Sequence, residues 1–579
     1  KATNGNKRSI SWVWDNVLSY EKIFDKIHRL NLMALYSMES SNSENMSLGY
    51  SNIYDGTYWW NIGKNGFTAS DGTLNITDGT TGYTENSMTS YAFRANYTLL
   101  DRYMLTATMR WDGSSKFAKG HKWGSFPSFA LAWRMSEEKF IKDNAKWISN
   151  LKLRLSYGVT GNNAGISNFE YMLGVSGPNY YPFGGTYANG MYPSGVVDGN
   201  IHWEKSHELN VGLDFGFLNS RIFGSIDWYN KKSNDLLYNV TLPYEAGAIT
   251  MKTNIGSVRN RGIEANVTGV IIQNKDLNWT VTANYAHNSN HVLEIDGTGN
   301  NILSGHYNDN LFMGGPVNNV YGYQWTGIVT DGDMVVPNNE IAVAKGFTPG
   351  TTVKQTDYYY ACYKLTEGSP IVQDVNGDGK FDDADKKVFR ADPAWTGSIS
   401  TTVSYKGWDF STSIYTKQHF NIYSNFYERF YDLTDRGRMR LNMDSYVPAG
   451  TLIDCDGVNA DGTYVNPKYQ QTTHYGTFPF PNNGGTNGGT NNAYWSGEDG
   501  AANFQNISFT KIKNITLGYT FPKAWTQKFG CSKLRLYINV TNPFVITGYK
   551  GFDPEWANTS LKQDGPSTTT WQFGANIKF

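Results

Sequence analysis

Residues 91–113 read YAFRANYTLLDRYMLTATMRWDG, and this stretch decides the fold. Tyr91, Phe93, Ala95, Tyr97 and Leu99 alternate with Ala92, Arg94, Asn96 and Thr98. A strand turns successive side chains to opposite faces, so the segment has one apolar and one polar face. Asp101-Arg102 then makes a tight turn, and a second segment begins near residue 103 and ends its apolar face on Trp111. Two amphipathic strands and a short turn form the unit from which the chain is built.

The rhythm recurs in Leu151, Leu153, Leu155 and Tyr157, and in Leu209, Val211, Leu213, Phe215 and Phe217. It returns in Trp279, Val281, Ala283 and Tyr285, in Leu534, Leu536, Ile538 and Val540, and in the terminal WQFGANIKF. About fifteen such segments begin near residues 9, 27, 87, 103, 125, 149, 203, 221, 253, 277, 394, 408, 504, 532 and 568. Their connections alternate in length. Asp25-Lys26, Asp101-Arg102, Asn219-Ser220, Asn274-Lys275 and Lys406-Gly407 are tight, and 136–150 and 522–531 are the longer members of the same set. The others are long and rich in Gly, Asn, Ser and Tyr, at about 42–86, 114–124, 160–202, 238–252, 291–393, 421–503 and 547–567. An antiparallel meander with all turns at one end and all loops at the other gives this pattern, which is that of outer-membrane barrels.

The alternative is a soluble β-sandwich. Against it stand strands of roughly 10–17 residues, where globular ones run about five or six, and loops far beyond the roughly 15 residues that compact domains carry without structure of their own. Apolar faces ending in Trp111, Trp133, Tyr157, Trp228 and Tyr519 suit the aromatic girdles of a bilayer interface. Composition agrees: 15% of the 579 residues are aromatic, only 17% are charged, and Lys+Arg 50 against Asp+Glu 51 leaves a net charge of −1. That balance excludes nucleic acid as the main partner. Three distant cysteines form no disulfide framework. No apolar run is long enough for a transmembrane helix, which a barrel does not need. The expected fold is an all-β transmembrane antiparallel barrel.

Three stretches resemble the SusC/RagA family of TonB-dependent outer-membrane transporters: DVNGDGKFDDADKKVF (374–389) with the strands that follow it to residue 418, LKLRLSYGVTGNN (151–163), and the tail WQFGANIKF. The resemblance implies a roughly 22-stranded plugged barrel, of which this chain would be the C-terminal part, with the plug and the first strands outside residues 1–579. It implies energised import of oligosaccharides or peptides across the outer membrane, a SusD-like lipoprotein as lid, TonB acting on the plug, and a dimer of transporter–lipoprotein pairs. It also gives Phe579 the role of a barrel-assembly signal. The rival readings are an ungated porin or adhesin barrel, and a secreted β-rich glycan-binding protein or hydrolase.

Residues 374–385 fit calcium-loop spacing: Asp374, Asn376 and Asp378 at positions 1, 3 and 5, Gly379 at 6, the Lys380 carbonyl at 7, Asp382 at 9 and Asp385 at 12. An Asp in place of Glu at position 12 shortens its reach; bound calcium is the reading taken, and an Asx-rich turn without metal is the alternative. A bound calcium ion would be structural. Arg94, Arg110, Lys152, Arg154, Asp214, Asp227, Glu264 and Arg535 lie on polar faces. Each would cost about 2–4 kcal/mol facing lipid at mid-depth, so they are expected in the lumen, against the plug or along a substrate path. Loop aromatics read as exposed contacts for the lid or a ligand: Trp59, Trp60, Tyr180, Tyr181, Tyr358, Tyr359, Tyr360 and Trp495. No catalytic constellation is present. His28, His121, His202 and His207 lack metal-ligand spacing, and the phrases GVTGN and GGTNGG open no helix after a strand.

Overall fold

The computed structural model describes residues 2–50, 76–243, 245, 250–297, 299–303, 310–424, 444–480, 500–551, 553–555 and 567–579. Fifteen strands form one sheet in chain order. They are β1 Ala2–Phe24, β2 His28–Tyr50, β3 Ile76–Leu99, β4 Tyr103–Ser114, β5 Trp123–Arg134, β6 Ile148–Asn162, β7 Glu204–Phe217 and β8 Ile222–Thr241. β9 Thr250–Gln273, β10 Leu277–Glu294, β11 Trp395–Tyr405, β12 Trp408–Gln418, β13 Phe509–Thr520, β14 Lys533–Thr547 and β15 Thr570–Lys578 complete it. Among the described residues no helix is long and apolar enough to cross a membrane, which says nothing of crossing by strands.

Two compact units are distinguished, residues 1–262 with 291–300, and residues 263–290 with 301–579. In the first, the antiparallel register pairs Tyr91 with Trp111, Phe93 with Met109, Leu105 with Leu131, and Leu131 with Leu155, so one face carries a continuous apolar band. The tight turns are those expected. Asp25, Lys26, Leu100, Asp101, Asn219 and Ser220 take positive φ, the geometry that follows the twist of a short hairpin. In the second unit the same logic pairs Trp279 with Val403, Trp408 with Tyr519, and Leu536 with Tyr519. Lys406 and Gly407 turn that hairpin at φ 45° and 94°. At Gly407 an added Cβ would also stand 2.7 Å from the Thr520 carbonyl, so only glycine fits.

The apolar faces are left outside. Phe93 is 62% exposed and Phe573 79%, with Leu18, Phe129, Leu131 and Ile399 also exposed. Protein interiors do not cover these side chains; a hydrocarbon surround does. The buried clusters lie toward the long-loop ends instead. Phe117, Phe126, Val159, Ile166, Ile201 and Trp203 form one in the first unit, and Phe420, Ile422, Ile507, Phe509 and Tyr549 one in the second.

Two expectations are corrected. β8, β9 and β10, at 20, 24 and 18 residues, and β1, β2 and β3, at 23, 23 and 24, are longer than the roughly 10–17 expected. The Ser-, Thr- and Asn-rich ends of β1, β2 and β3 keep the ladder beyond the apolar band, helped by side-chain bonds between Ser9 and Ser43 and between Ser11 and Ser41. The segment 291–393 is no structureless loop either. It holds the strand pairs Asn319–Gly322 with Lys387–Arg390, Trp325–Ile328 with Pro370–Val372, and Asp333–Val335 with Thr352–Lys354, plus helices Glu340–Ala344 and Gln355–Tyr363. Val336, Ile341, Ala342, Tyr358 and Cys362 give it a core.

Candidate functional site

The polar faces bring together charges that are far apart in sequence. Lys152 lies opposite Asp214 across β6 and β7, and Gly212 lies opposite both Arg154 on β6 and Asp227 on β8. Lys152 Nζ sits 2.9 Å from Asp214 Oδ2, and Arg154 Nη2 lies 2.8 Å from Asp214 Oδ1 and 2.9 Å from Asp227 Oδ1. Two cations and two anions thus cancel within the wall. Gly212 makes the crossing possible, because a Cβ there would stand 2.6 Å from Arg154 Nη2. The second unit repeats the device. Arg535 on β14 grips Asp409 on β12 with Nε to Oδ1 at 2.9 Å and Nη2 to Oδ2 at 2.5 Å, passing over Gly518 of β13. This bidentate geometry is the strong form of an Arg–carboxylate pair.

The remaining polar-face residues are less committed. Arg94 donates to Thr108 Oγ1 at 3.3 Å, while Arg110 holds both oxygens of Asp112 and donates to Ser90. Glu264 is exposed, with no ion pair among the described residues. Asp409, Gly212 and Gly518 were missed by sequence reasoning. The signal for the aspartate was present, since Asp409 alternates with Trp408 and Phe410.

A second missed group lies at the long-loop end of β13. Lys511, 1% exposed, places Nζ 2.5 Å from Asp553 Oδ2, 3.1 Å from Glu555 Oε2 and 3.2 Å from Ser567 Oγ. Lys513 Nζ reaches both oxygens of Glu555 at 2.5 and 2.6 Å, and Ser567 also donates to Asp553. Burial pushes both carboxyls up, but Lys511, Ser567 and the Glu555 backbone N–H at Asp553, and Lys513 with Lys511 at Glu555, more than offset this and hold both below the usual carboxylate range. The network ties the segment after β14 to the rim of the sheet.

The aromatic expectations divide. Trp59, Trp60 and Trp495 lie outside the described residues. Tyr180 and Tyr181 are exposed on the hairpin Val175–Phe183 with Thr186–Pro193, turned by Gly184 and Gly185. Tyr358 is corrected: it is 2% exposed, inside the core around Val336 and Ile341, with Asn339 Nδ2 donating to its hydroxyl at 3.4 Å. Tyr359 is half-buried against Val329, Leu365 and Ile371. Only Tyr360 of the three is exposed, at 55%. The helix Gln355–Tyr363 explains the difference, since positions 358 and 362 share its buried face. Tyr358→Ala is expected to destabilise this subdomain by about 3–5 kcal/mol, and Tyr360→Ala by less than about 0.5 kcal/mol. Limited proteolysis of the two variants in detergent checks both.

The loop 374–385 folds around its own side chains. Asp374 accepts from the backbone N–H groups of Gly377 (2.6 Å) and Gly379 (3.1 Å) and from Tyr363 Oη (2.9 Å). Asp378 accepts from Lys380 N, and Asp382 accepts from Ala384 N. Asp385 is fully buried and accepts from Val375 N and Asp382 N, closing a capping box. Burial raises the Asp385 carboxyl above its usual range despite those donors. Asp374, Asn376 and Asp378 stand in the order a calcium loop needs, but Asp385 faces the backbone. Among the described residues no three His, Cys, Asp or Glu side chains are gathered into a metal cluster.

Comparison with known proteins adds the family context. A family model described as "TonB dependent receptor-like, beta-barrel" matches residues 11–415. The TonB-dependent receptor SusC of Bacteroides thetaiotaomicron is 33% identical over 506 residues, covering 86% of this chain and 44% of that protein. A TonB-dependent receptor of Formosa agariphila is 29% identical over 600 residues, covering 98% of this chain and 52% of its own length. Among solved structures, the RagAB peptide transporter superposes on the whole chain with a TM-score of 0.74 at 20% identity, over 56% of that chain. The chain spans about half the length of the curated relatives it matches.

Proposed function

We propose, from the premise that this chain belongs to the TonB-dependent receptor family as a SusC homologue of the bacterial outer membrane, that it supplies fifteen wall strands of a transporter importing oligosaccharides or peptides. The carrying observation is the fifteen-stranded meander with turns at one end and long loops at the other, its apolar face turned outward and its charges compensated on the polar face. A wall whose charge clusters pair within themselves suits a conduit whose moving part lies elsewhere. The plug and the first strands would come from outside residues 1–579, and TonB would act on that plug. A SusD-like lipoprotein would cover the long-loop end, with Tyr180 and Tyr181 among its contacts, and transporter–lipoprotein pairs would assemble as dimers. Arg94 and Glu264, which have no ion pair among the described residues, would meet plug or substrate, and Arg110, paired with Asp112, would line the same face. Phe579, beyond the last paired residue, would serve barrel assembly.

The test is uptake. Cells lacking this protein are expected to lose at least tenfold of the accumulation of a labelled oligosaccharide or peptide pool, and cells retaining it but lacking TonB to lose as much. Uptake that persists without TonB would favour the ungated pore. In the same reading the loop 374–385 takes a structural calcium ion through Asp374, Asn376, Asp378 and the Lys380 carbonyl, with Asp382 acting through water and Asp385 turning to join them. Calorimetric titration of calcium into the detergent-solubilised protein should show binding that Asp374→Ala and Asp378→Ala abolish; identical traces for wild type and variants would leave the loop an Asx turn alone.

A further inference from the structure

The folded part of the long loop, residues 319–390, contains a cavity of about 780 Å³ whose wall shares Asp378 and Lys380 with the proposed calcium loop. It is bounded by the helix Glu340–Ala344, the end of the helix Gln355–Tyr363 and the wall 377–381. The floor is apolar: Ile341, Cys362 and Leu365 are each under a tenth exposed. Tyr363 and Phe381 stack at 4.5 Å with planes 13° apart, which stiffens one side. The opposite wall is pressed onto the helix at Gly379, where φ is +81° and a Cβ would meet Ile341 Cγ2 at 2.8 Å, so glycine is required there.

Three lysines from three separate segments line it: Lys345 after the first helix, Lys364 after the second, and Lys380 on the wall. None has a carboxylate within ion-pair distance among the described residues; the Lys364 ammonium lies over the Tyr360 ring at 5.0 Å instead. A lysine behind a helix C-terminus is an ordinary partner of the helix dipole, which would account for Lys345 and Lys364. It does not account for Lys380, which follows no helix and completes the set. Of the two lining carboxylates, Asp378 is engaged within its own loop by Lys380 N at 2.9 Å and Asn376 Nδ2 at 3.1 Å, which leaves Glu340. Three cations above an apolar floor therefore face two carboxylates, of which Asp378 is already held by donors of its own loop, in a space of the size that holds small ligands.

We propose that this cavity binds a carboxylate-bearing unit of the imported oligomer, its body against Ile341 and Leu365 and its carboxylate between Lys345 and Lys380. The proposal rests on the import reading for the identity of its ligand as cargo, while the binding itself needs neither TonB nor uptake. Two sources share that chemistry, a uronate sugar and an acidic peptide. Detergent-solubilised full-length transporter is titrated with digalacturonate against cellobiose, and with Glu-Glu against Ala-Ala. One acidic probe is expected to bind at least tenfold tighter than its neutral counterpart, with affinity falling as salt rises; the pair that shows the preference identifies the source. Lys345→Gln with Lys380→Gln, both exposed and so tolerated by the fold, should remove the preference while the barrel keeps its heat-modifiable mobility on a gel. Equal affinity for acidic and neutral probes, no binding of either, or an unchanged preference in the double variant would each overturn the site. Loss of uptake without loss of this preference, or the reverse, separates the two proposals.

Discussion

Lys511→Met is expected to release the segment after β14 from the rim of the sheet at a cost of about 3–5 kcal/mol, the penalty for leaving a buried charge without its partner. Lys511 and Asp553 are almost wholly buried, and each is the other's closest charge. The methionine removes the ammonium and strands the carboxylate, with, among the described residues, only Ser567 and the backbone N–H of Glu555 to solvate it. Adding Asp553→Leu to Lys511→Met should recover most of the loss, since replacing both partners by apolar groups of similar size can be nearly neutral. Hydrogen exchange of residues 548–555 reads both variants, and equal protection in wild type and Lys511→Met would refute the expectation. The pH dependence follows in sign. The carboxyls of Asp553 and Glu555 are held below their unfolded values, so their stabilisation is complete above about pH 4–5 and fades as pH falls through the lowered folded values. Exchange at this rim should therefore accelerate in acid, and in Lys511→Met the acceleration should shrink.

Arg154→Met should be the most damaging change in the wall itself. It leaves Asp227 without a cation and Asp214 with Lys152 alone, beside a membrane interior where an unpaired charge costs several kcal/mol. About 2–4 kcal/mol is expected, less than for a fully buried pair because these side chains retain some access to the polar side. Gly212→Val should produce a similar defect without touching a charge, since its side chain must occupy the path of the guanidinium. The two changes together should cost little more than either alone, because they break one interaction. The midpoint of urea unfolding in detergent micelles, followed by tryptophan fluorescence, measures all three, and additive losses would show that Gly212 acts independently of Arg154.

The strand pattern was legible because its cause is local. Period-two alternation and tight-turn residues mark β4 through β15 within a few residues of where the strands lie, and Asp101, Asn219 and Lys406 bend where they were expected to. The pairing of Lys152 with Asp214 was not legible, because β6 and β7 are separated by residues 163–203 and only the sheet register sets them opposite. Nothing in the sequence singled out Lys511, since its partners sit in an irregular segment with no periodicity to announce them. The loop subdomain was hidden by brevity. Strands of three or four residues leave no rhythm, and its core closes through contacts between distant segments. Tyr358 could have been placed, because its spacing to Cys362, repeated by Tyr359 and Tyr363, is that of a helix with one face covered.

The long first three strands carry a consequence for what meets the cell from outside. At about 3.3 Å per residue and a tilt near 45°, a 23-residue strand climbs roughly 50 Å, about twice the height of the apolar band. On the side of the long loops, a hydrogen-bonded parapet therefore rises roughly 25 Å above the lipid. A bacteriophage or antibody approaching there would find a stiff polar ribbon of Ser, Thr and Asn in this wall.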